Sequence, residues 1–195
     1  RVAAGLLEPT AKVVLEQIDA LRRIAGDFAA LAGSPRRVVT DVDVDALLAS
    51  VGSLYAGGAP AHVRVETALS GSLPPVRADE GELRRVVVNL VTNAVEAIDP
   101  ERPGVVVLRS VRAASEGRDG VRVSVEDTGC GIAPESRGRL FEPSFSTKSS
   151  GTGLGLAVVR RIVTDLGGTV SFESEPGRGT TMTVWLPAAA PPPAS

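Results

Sequence analysis

The chain has 195 residues, 21 of them basic and 23 acidic, which gives a formal net charge of −2. Its length suits one ordinary domain with an appendage, and its charge supplies no global basic field for nucleic acid or an anionic membrane. Only 3% of the residues are aromatic, which argues against a base-stacking surface, and the single Cys130 excludes an internal disulfide. Any phosphate-binding site must therefore be local.

The chain contains no run of about 18 apolar residues that could span a bilayer, and residues 1–30 lack the layout of a signal peptide. It begins at Arg1 rather than at a methionine. We therefore interpret it as a cytoplasmic fragment, with any membrane attachment in regions upstream of Arg1.

The first predicted element is a helix in which apolar residues from Leu7 to Ala32 recur at alternating steps of four and three. This heptad spacing is typical of a helix in a coiled coil or bundle, although a core helix of the main domain would also fit. The stretch 33–35, Gly-Ser-Pro, supplies a stop. Residues 1–35 are thus predicted to form an N-terminal bundle helix that precedes a main domain over residues 36–187.

The first part of the main domain alternates between strand and helix patterns. A weak strand is predicted over 38–44, a helix capped by Asp43 or Asp45 through Tyr55, a break at 57–60 and a strand over 62–66. Asp79, followed three residues later by Glu82, forms a capping-box pattern that opens a helix through about residue 98. The predicted inward residues of this helix are Leu83, Val86, Val87, Leu90, Ala94 and Ala97.

The second part of the domain is predicted to contain more strands. Paired strands over 105–111 and 121–126 precede a long loop over 129–151, a helix over 154–166 ended by two glycines, and a hairpin of 169–173 with 180–186. The Pro/Ala-rich tail 188–195 is expected to be disordered. This mixed order predicts an α+β domain, a two-layer α/β sandwich, rather than a parallel βαβ fold.

A glycine-rich run, Gly-Thr-Gly-Leu-Gly over 151–155, lies between the long loop and a helix. Glycine permits close approach of the backbone, and the free N–H groups of a helix N-terminus attract anions. The run matches neither the Walker loop nor the dinucleotide-binding fingerprint. Alone it is weak evidence for a phosphate site, because glycine-rich turns before helices are common.

Asn89 and Asn93 are spaced so that both amides lie on one face of the capped helix. Amide oxygens can join Mg²⁺ coordination that also includes water and substrate phosphates. An ordinary polar helix face is the alternative interpretation of this pair.

Asp127 ends an apolar strand and is followed by Gly129 and Gly131. Its carboxylate could accept a hydrogen bond from an amino group of a ligand, and the two glycines could leave space for a flat ligand. A tight turn with a solvated Asp is the alternative. In the long loop, two phenylalanines over 141–145 could anchor a lid, and Lys148 could meet phosphate or remain a solvated lysine.

The order and spacing of these four motifs, with Gly-Arg-Gly-Thr over 177–180 behind them, resemble the catalytic domain of sensor histidine kinases. In that family the motifs are the N, G1, F, G2 and G3 boxes, and the resemblance covers residues 79–187. Residues 10–55 are also similar to the second dimerisation helix and first strand of the nitrogen-regulation sensor subgroup. By this resemblance, residues 1–35 would be the second helix of a dimerisation and histidine-phosphotransfer hairpin.

The resemblance implies a Bergerat fold, also called the GHKL ATP-binding fold, with ATP and Mg²⁺ as cofactors. Asn93 would hold Mg²⁺ with Asn89 assisting near the phosphates, Asp127 would accept from the adenine amino group, and Lys148 would address the phosphates. The remaining residues implied to contact ATP are Ala97, Gly129, Gly131, Ile132, Thr147, Gly151, Thr152, Gly153, Leu154, Gly155 and Thr180 or Thr181.

One position separates relatives of this fold. ATP-hydrolysing members such as gyrase, and serine kinases resembling anti-sigma factors, carry a glutamate where this chain has Asn89, which cannot act as a carboxylate base. We therefore expect phosphoryl transfer to histidine rather than hydrolysis. An ATPase or serine kinase, and a degenerate nucleotide-sensing module, remain the alternatives.

The phosphoacceptor motif of the family, a His-Glu string on a helix, does not occur in this sequence. The single histidine, His62, is expected to be a surface strand residue rather than the acceptor. The expected partners are the phosphoacceptor helix of the same kinase, in cis or in trans within a homodimer, and a downstream response regulator. The fragment alone is not expected to phosphorylate itself.

Overall fold

A computed structural model of the chain describes Gly26, residues 37–146 and residues 152–190. The predicted N-terminal bundle helix lies outside the described residues except for Gly26, which is helical, and so does the tail from residue 191. None of the described helices is long and apolar enough to cross a membrane.

The described domain contains three α-helices and seven strands. The helices are α1 (Val44–Gly58), α2 (Glu80–Ala97) and α3 (Gly155–Asp165), and a 3-10 helix covers Pro134–Arg139. The strands are β1 (Val39–Val42), β2 (Val63–Ala68), β3 (Val76–Asp79), β4 (Gly104–Arg112), β5 (Gly120–Asp127), β6 (Thr169–Glu175) and β7 (Gly179–Pro187).

Five strands form one mixed sheet in the order β2-β4-β5-β7-β6. Strand β2 runs parallel to β4, and every other neighbouring pair is antiparallel. Strands β1 and β3 form a separate antiparallel pair beside the helices. The helices cover one face of the large sheet, which confirms the predicted α+β two-layer sandwich.

Alternation along the strands decides which side chains enter the core. In β5, Val121, Val123 and Val125 are buried, whereas Arg122 and Glu126 are exposed on the opposite face. Helix α2 buries a broad stripe that faces this sheet surface. The stripe includes five of the six predicted residues and also Val91, while Ala97 is only half-buried: Leu83, Val86, Val87, Leu90, Val91 and Ala94.

Two aspartates cap the first two helices. Asp43 accepts a hydrogen bond from the N–H of Ala46 at 3.0 Å, and Asp79 accepts from the N–H of Glu82 at 3.1 Å. The predicted capping box at Asp79 is only half formed, because the Glu82 carboxylate accepts from Arg37 at 2.8 Å instead of returning to Asp79. A residue distant in sequence thus competes successfully for the Glu82 side chain.

Arg37 joins the beginning of the described domain to two helices. Its guanidinium donates to Glu82 in the first turn of α2 and to Asp165 in the last turn of α3, each at 2.8 Å. The neighbouring N–H of Val38 donates to the second carboxylate oxygen of Asp79 at 2.8 Å. Arg37 and Val38 are therefore held beside the N-terminal end of α2, and Arg37 is also held beside the C-terminal end of α3.

The structure differs from the sequence-based expectations in three further places. Strand β3 was not predicted, since four residues are too few for a clear alternation, and only pairing with β1 defines it. Helix α1 ends at Gly58, two residues inside the predicted break at 57–60. The first tail residues are held, because the N–H groups of Ala188 and Ala189 donate to Asp119 and Pro75 carbonyls at 3.0 and 2.7 Å.

We expect Asp79→Ala to lower the free energy of unfolding by about 1–2 kcal/mol at neutral pH, because it removes an N-cap and the acceptor for Val38. The hydrogen bond from the Val38 N–H, followed by that from Glu82, lowers the pKa of the Asp79 carboxyl. A lowered folded-state pKa gives stabilisation that is present above the unfolded value, about 3.9, and is lost as the pH falls through the folded value.

Urea unfolding at a series of pH values would test this expectation. The difference between wild type and Asp79→Ala should be full at neutral pH and should shrink in acid. Asp41→Ala is a matched control, because the Asp41 side chain is 57% exposed and pairs with Arg77 at the surface. A difference that stays constant down to about pH 2.5 would contradict the role given to the ionised Asp79.

Candidate functional site

One face of α2 carries the two predicted asparagines. Asn89, Asn93 and Ala97 follow at intervals of four and therefore lie one turn apart on the same side of the helix. The side-chain amide of Asn89 donates to the Arg85 carbonyl at 3.0 Å. The half-buried Asn93 makes no hydrogen bond with any described residue, so its side-chain oxygen is available to a ligand.

The N-terminus of α3 lies directly against this face. A Cβ atom added to Gly155 would come within 2.6 Å of the Asn89 side-chain oxygen, so the first residue of α3 lies directly against this side chain. The helix has no side-chain cap at its N-terminus, which leaves N–H groups of its first turn for another acceptor. The predicted anion cradle and the asparagine face thus meet at one place.

The segment before α3 closes on itself. The Ser144 N–H donates to the Gly153 carbonyl at 3.0 Å, and Gly153 has a positive φ of 67° in contact with the Ser144 and Phe145 backbone. The Thr152 hydroxyl accepts from the N–H of the buried Leu154 at 3.3 Å. Three predicted site residues in this segment, Thr147, Lys148 and Gly151, lie outside the described residues.

Of the two phenylalanines considered as anchors of a lid, Phe141 packs on the rest of the domain, and Phe145 contacts Arg139 at the end of the 3-10 helix. The Phe141 ring lies 6.1 Å from the Phe172 ring of β6, and the Arg160 guanidinium of α3 lies 6.0 Å from the Phe141 centroid. The Arg139 guanidinium lies 4.7 Å from the Phe145 centroid. The base of the loop is therefore fixed to α3 and β6.

Asp127, the last residue of β5, is 6% exposed, and its carboxylate accepts from the Gly129 N–H at 2.8 Å. A Cβ atom on Gly129 would come within 2.5 Å of the Ala97 carbonyl oxygen, and the Cys130 N–H donates to that carbonyl at 2.9 Å. Gly131, with a φ of 71°, contacts the backbone at Glu175. This loop is thus held between the end of α2 and the β6–β7 turn.

The strand register distinguishes the two candidate threonines. Thr180 lies directly opposite Asp127 on neighbouring strands, so both side chains point to the helix-covered face, and Thr180 is 8% exposed. Thr181 lies opposite the exposed Glu126 and points to the other face. The structure therefore brings Thr180, and not Thr181, to the side of Asp127.

Ser174 adjoins these residues, although no local sequence pattern distinguishes it. Its hydroxyl accepts from the N–H of Ile132, a predicted site residue, at 2.8 Å and lies 2.9 Å from the Thr180 hydroxyl oxygen. An open depression of about 330 Å³ at this end of the sheet is lined by Asp127, Ser174 and Thr180, and also by residues of the opposite face, namely Glu126, Glu173 and Thr181. The missed signal was cross-strand pairing, which a local motif does not contain.

His62 was expected to be a surface strand residue, but the strand begins one residue later, at Val63. His62 lies in the turn just before β2 and is half-buried, and its carbonyl accepts from the Gly104 N–H at 2.8 Å. Cys130 is exposed, and its thiol lies 3.4 Å from the Gly131 carbonyl oxygen.

Comparison with known proteins identifies the family. Residues 78–190 match the family described as histidine kinase-, DNA gyrase B-, and HSP90-like ATPase. Sensor histidine kinase ZraS of Escherichia coli K12 is 36% identical over 186 residues, which cover 95% of this chain and 39% of ZraS. Sensory histidine kinase/phosphatase NtrB of Escherichia coli O157:H7 is 35% identical over 189 residues, 94% of this chain and 53% of NtrB.

A solved structure shows the same similarity in three dimensions. Full-length ShkA in complex with AMPPNP matches with a TM-score of 0.75 and 34% identity, over 92% of this chain and 38% of ShkA. The chain thus spans about two fifths of the length of ZraS and of ShkA. It belongs to the histidine kinase-, DNA gyrase B- and HSP90-like ATPase family, within which it is similar to sensor histidine kinases.

Proposed function

We propose that this chain is the ATP-binding catalytic part of a sensor histidine kinase, which binds ATP with Mg²⁺ and transfers the γ-phosphoryl group to a histidine. The observation that carries the proposal is the contact of the Asn89–Asn93 face of α2 with the uncapped N-terminus of α3. Asp127 lies near the other end of the same helix face, because Gly129, two residues after it, contacts the Ala97 carbonyl. One helix therefore presents a phosphate end and a base end.

At the base end, the Asp127 carboxylate would accept a hydrogen bond from the adenine amino group. Its geometry supports this role, because one oxygen is already oriented by the Gly129 N–H and a carboxylate has capacity for further hydrogen bonds. Gly129 and Gly131 would leave space for the flat base, with Ala97, Ile132 and Thr180 around it.

At the phosphate end, Asn93 would supply an oxygen ligand to Mg²⁺, with Asn89 held beside it against Gly155. Bound Mg²⁺ would neutralise phosphate charge while retaining water and phosphate oxygens as its other ligands. The backbone of Thr152, Gly153, Leu154 and Gly155 would face the phosphates at the helix N-terminus. The resemblance implies that the phosphate end of the site also includes Thr147, Lys148 and Gly151.

Transfer to histidine fits these residues better than hydrolysis. Phosphoryl transfer depends mainly on positioning and on stabilisation of charge, which a helix N-terminus and amide ligands can provide. Hydrolysis would need a base to orient or activate water, and Asn89 cannot accept a proton as a carboxylate would. The acceptor would lie on the dimerisation helix of the same kinase, in cis or in trans, and a response regulator would receive the phosphoryl group next.

The domain organisation follows the same proposal. Residues 1–35 would be the second helix of the dimerisation hairpin, and residues 36–187 would be the catalytic domain. One described contact joins the two parts: the Arg85 guanidinium of α2 donates to the Gly26 carbonyl at 3.0 Å. This contact would bring the dimerisation helix to the face of α2 that carries Asn89.

We expect Asn93→Ala to weaken binding of ATP by about tenfold or more in the presence of Mg²⁺, the effect of losing one contact to a charged group. Isothermal titration calorimetry would measure it, and the loss should largely disappear when EDTA replaces Mg²⁺. Arg84→Gln is the matched control, since Arg84 lies on another side of α2, is 41% exposed and contacts Glu80. If Asn93→Ala left the affinity for ATP in the presence of Mg²⁺ unchanged, Asn93 would not be part of the binding site.

We expect the chain incubated alone with γ-labelled ATP to acquire no acid-labile phosphate and to release phosphate only slowly. Its single histidine, His62, lies in the turn before β2, and Asn89 offers no base for hydrolysis. Acid-labile label that His62→Ala abolishes would contradict the proposal that the acceptor lies elsewhere. Rapid phosphate release abolished by Asn93→Ala would instead favour an ATPase.

A further inference from the structure

We infer that Ser174 is a positioning residue that sets the direction of the Thr180 hydroxyl, so that Asp127 and Thr180 together select a purine with an amino group rather than an oxygen at position 6. The inference rests on the proposed function, because it assigns base selectivity to the same ATP site. It depends on how the few protons of this hydrogen-bonded cluster are distributed.

The Ser174 hydroxyl has three partners. It accepts from the Ile132 N–H at 2.8 Å, donates to the Gly179 carbonyl at 3.0 Å, and lies 2.9 Å from the Thr180 hydroxyl oxygen. A serine hydroxyl has one proton and two acceptor lone pairs. Since its proton is directed to Gly179, the hydrogen bond with Thr180 must be donated by Thr180.

This assignment determines what Thr180 can offer to a ligand. Its only proton points at Ser174, so its oxygen presents lone pairs alone to the space beside Asp127. Thr180 and Asp127 are directly paired across neighbouring strands and are 8% and 6% exposed, so both act in a largely desolvated place. An ionised Asp127 is also an acceptor only.

Two acceptors side by side require a group that donates twice. The exocyclic amino group of adenine has two N–H bonds, whereas hypoxanthine and guanine carry a carbonyl oxygen at that position. A carbonyl oxygen facing two acceptors leaves buried groups unpaired, which weakens binding more than the loss of an exposed contact would. The cluster therefore discriminates by the polarity of its hydrogen bonds rather than by its size.

Ser174→Ala would release the Thr180 proton. The Thr180 hydroxyl could then turn and donate to an oxygen at position 6, so the preference for ATP over ITP should fall. We expect a decrease of about tenfold in the ratio of the two affinities, the size of one neutral hydrogen bond. If the substitution only loosened the backbone at Ile132, binding of ATP and of ITP would weaken equally, and the ratio of the two affinities would not change.

The test is titration calorimetry with ATP and ITP, each with Mg²⁺, on the full chain. Ser171→Ala is the matched control, since it is a Ser-to-Ala change on the exposed face of the same strand and should keep the wild-type ratio. Ser174→Thr, which retains a hydroxyl, should also keep it. Thr180→Val should reduce the ratio, and adding Ser174→Ala to Thr180→Val should reduce it no further.

A wild-type ratio in Ser174→Ala, or a further decrease in the double variant, would overturn the inference, because Ser174 would not be acting through Thr180. If Ser174→Ala does not fold, Ser174→Cys replaces it, since a thiol is only a weak donor and acceptor, and the same decrease is required. Failure of the wild-type chain to bind ATP at all would contradict the proposed function itself.

Discussion

Close approach of glycines to neighbouring main-chain and side-chain atoms is the constraint on which this site depends. Gly155 lies against Asn89, Gly129 lies against Ala97, and Gly179 lies against the Asp127 carbonyl, and in each place an added Cβ would overlap its neighbour. These three contacts join α3, the loop after β5 and the start of β7 to a common centre formed by α2 and β5. The glycines of the motifs therefore position polar side chains by letting the main chain come near.

Burial of polar groups is concentrated in the same region. Within the part of the chain that the structure describes, three polar side chains are buried: Ser110, Asp127 and Thr180. Ser110 is satisfied by Asp45 and the Ser70 N–H at the other end of the domain, where it fastens a loop. Asp127 and Thr180 instead adjoin an open depression, which is where desolvated polar groups can serve a ligand.

Much of the fold followed from the sequence because its signals are local. The alternating valines of β5, the Asp43 and Asp79 caps and the Gly167 end of α3 each depend on neighbours within a few residues. Strand β3 and the half-formed capping box depend on distant partners, β1 and Arg37, and were not predictable from local pattern. The placement of Ser174 and Thr180 on the same side as Asp127, with Thr181 on the opposite face, depends on the register of β5, β6 and β7.

The Arg37 bridge has a mechanical consequence. Its single guanidinium joins the first turn of α2 to the last turn of α3, and the next N–H is tied to the cap of α2. A force applied at Arg37 would thus be divided between both helices, which also contact each other directly, in one place through Asn89 and Gly155. Displacement of Arg37 would therefore act on both helices together, at the N-terminal end of α2 and the C-terminal end of α3.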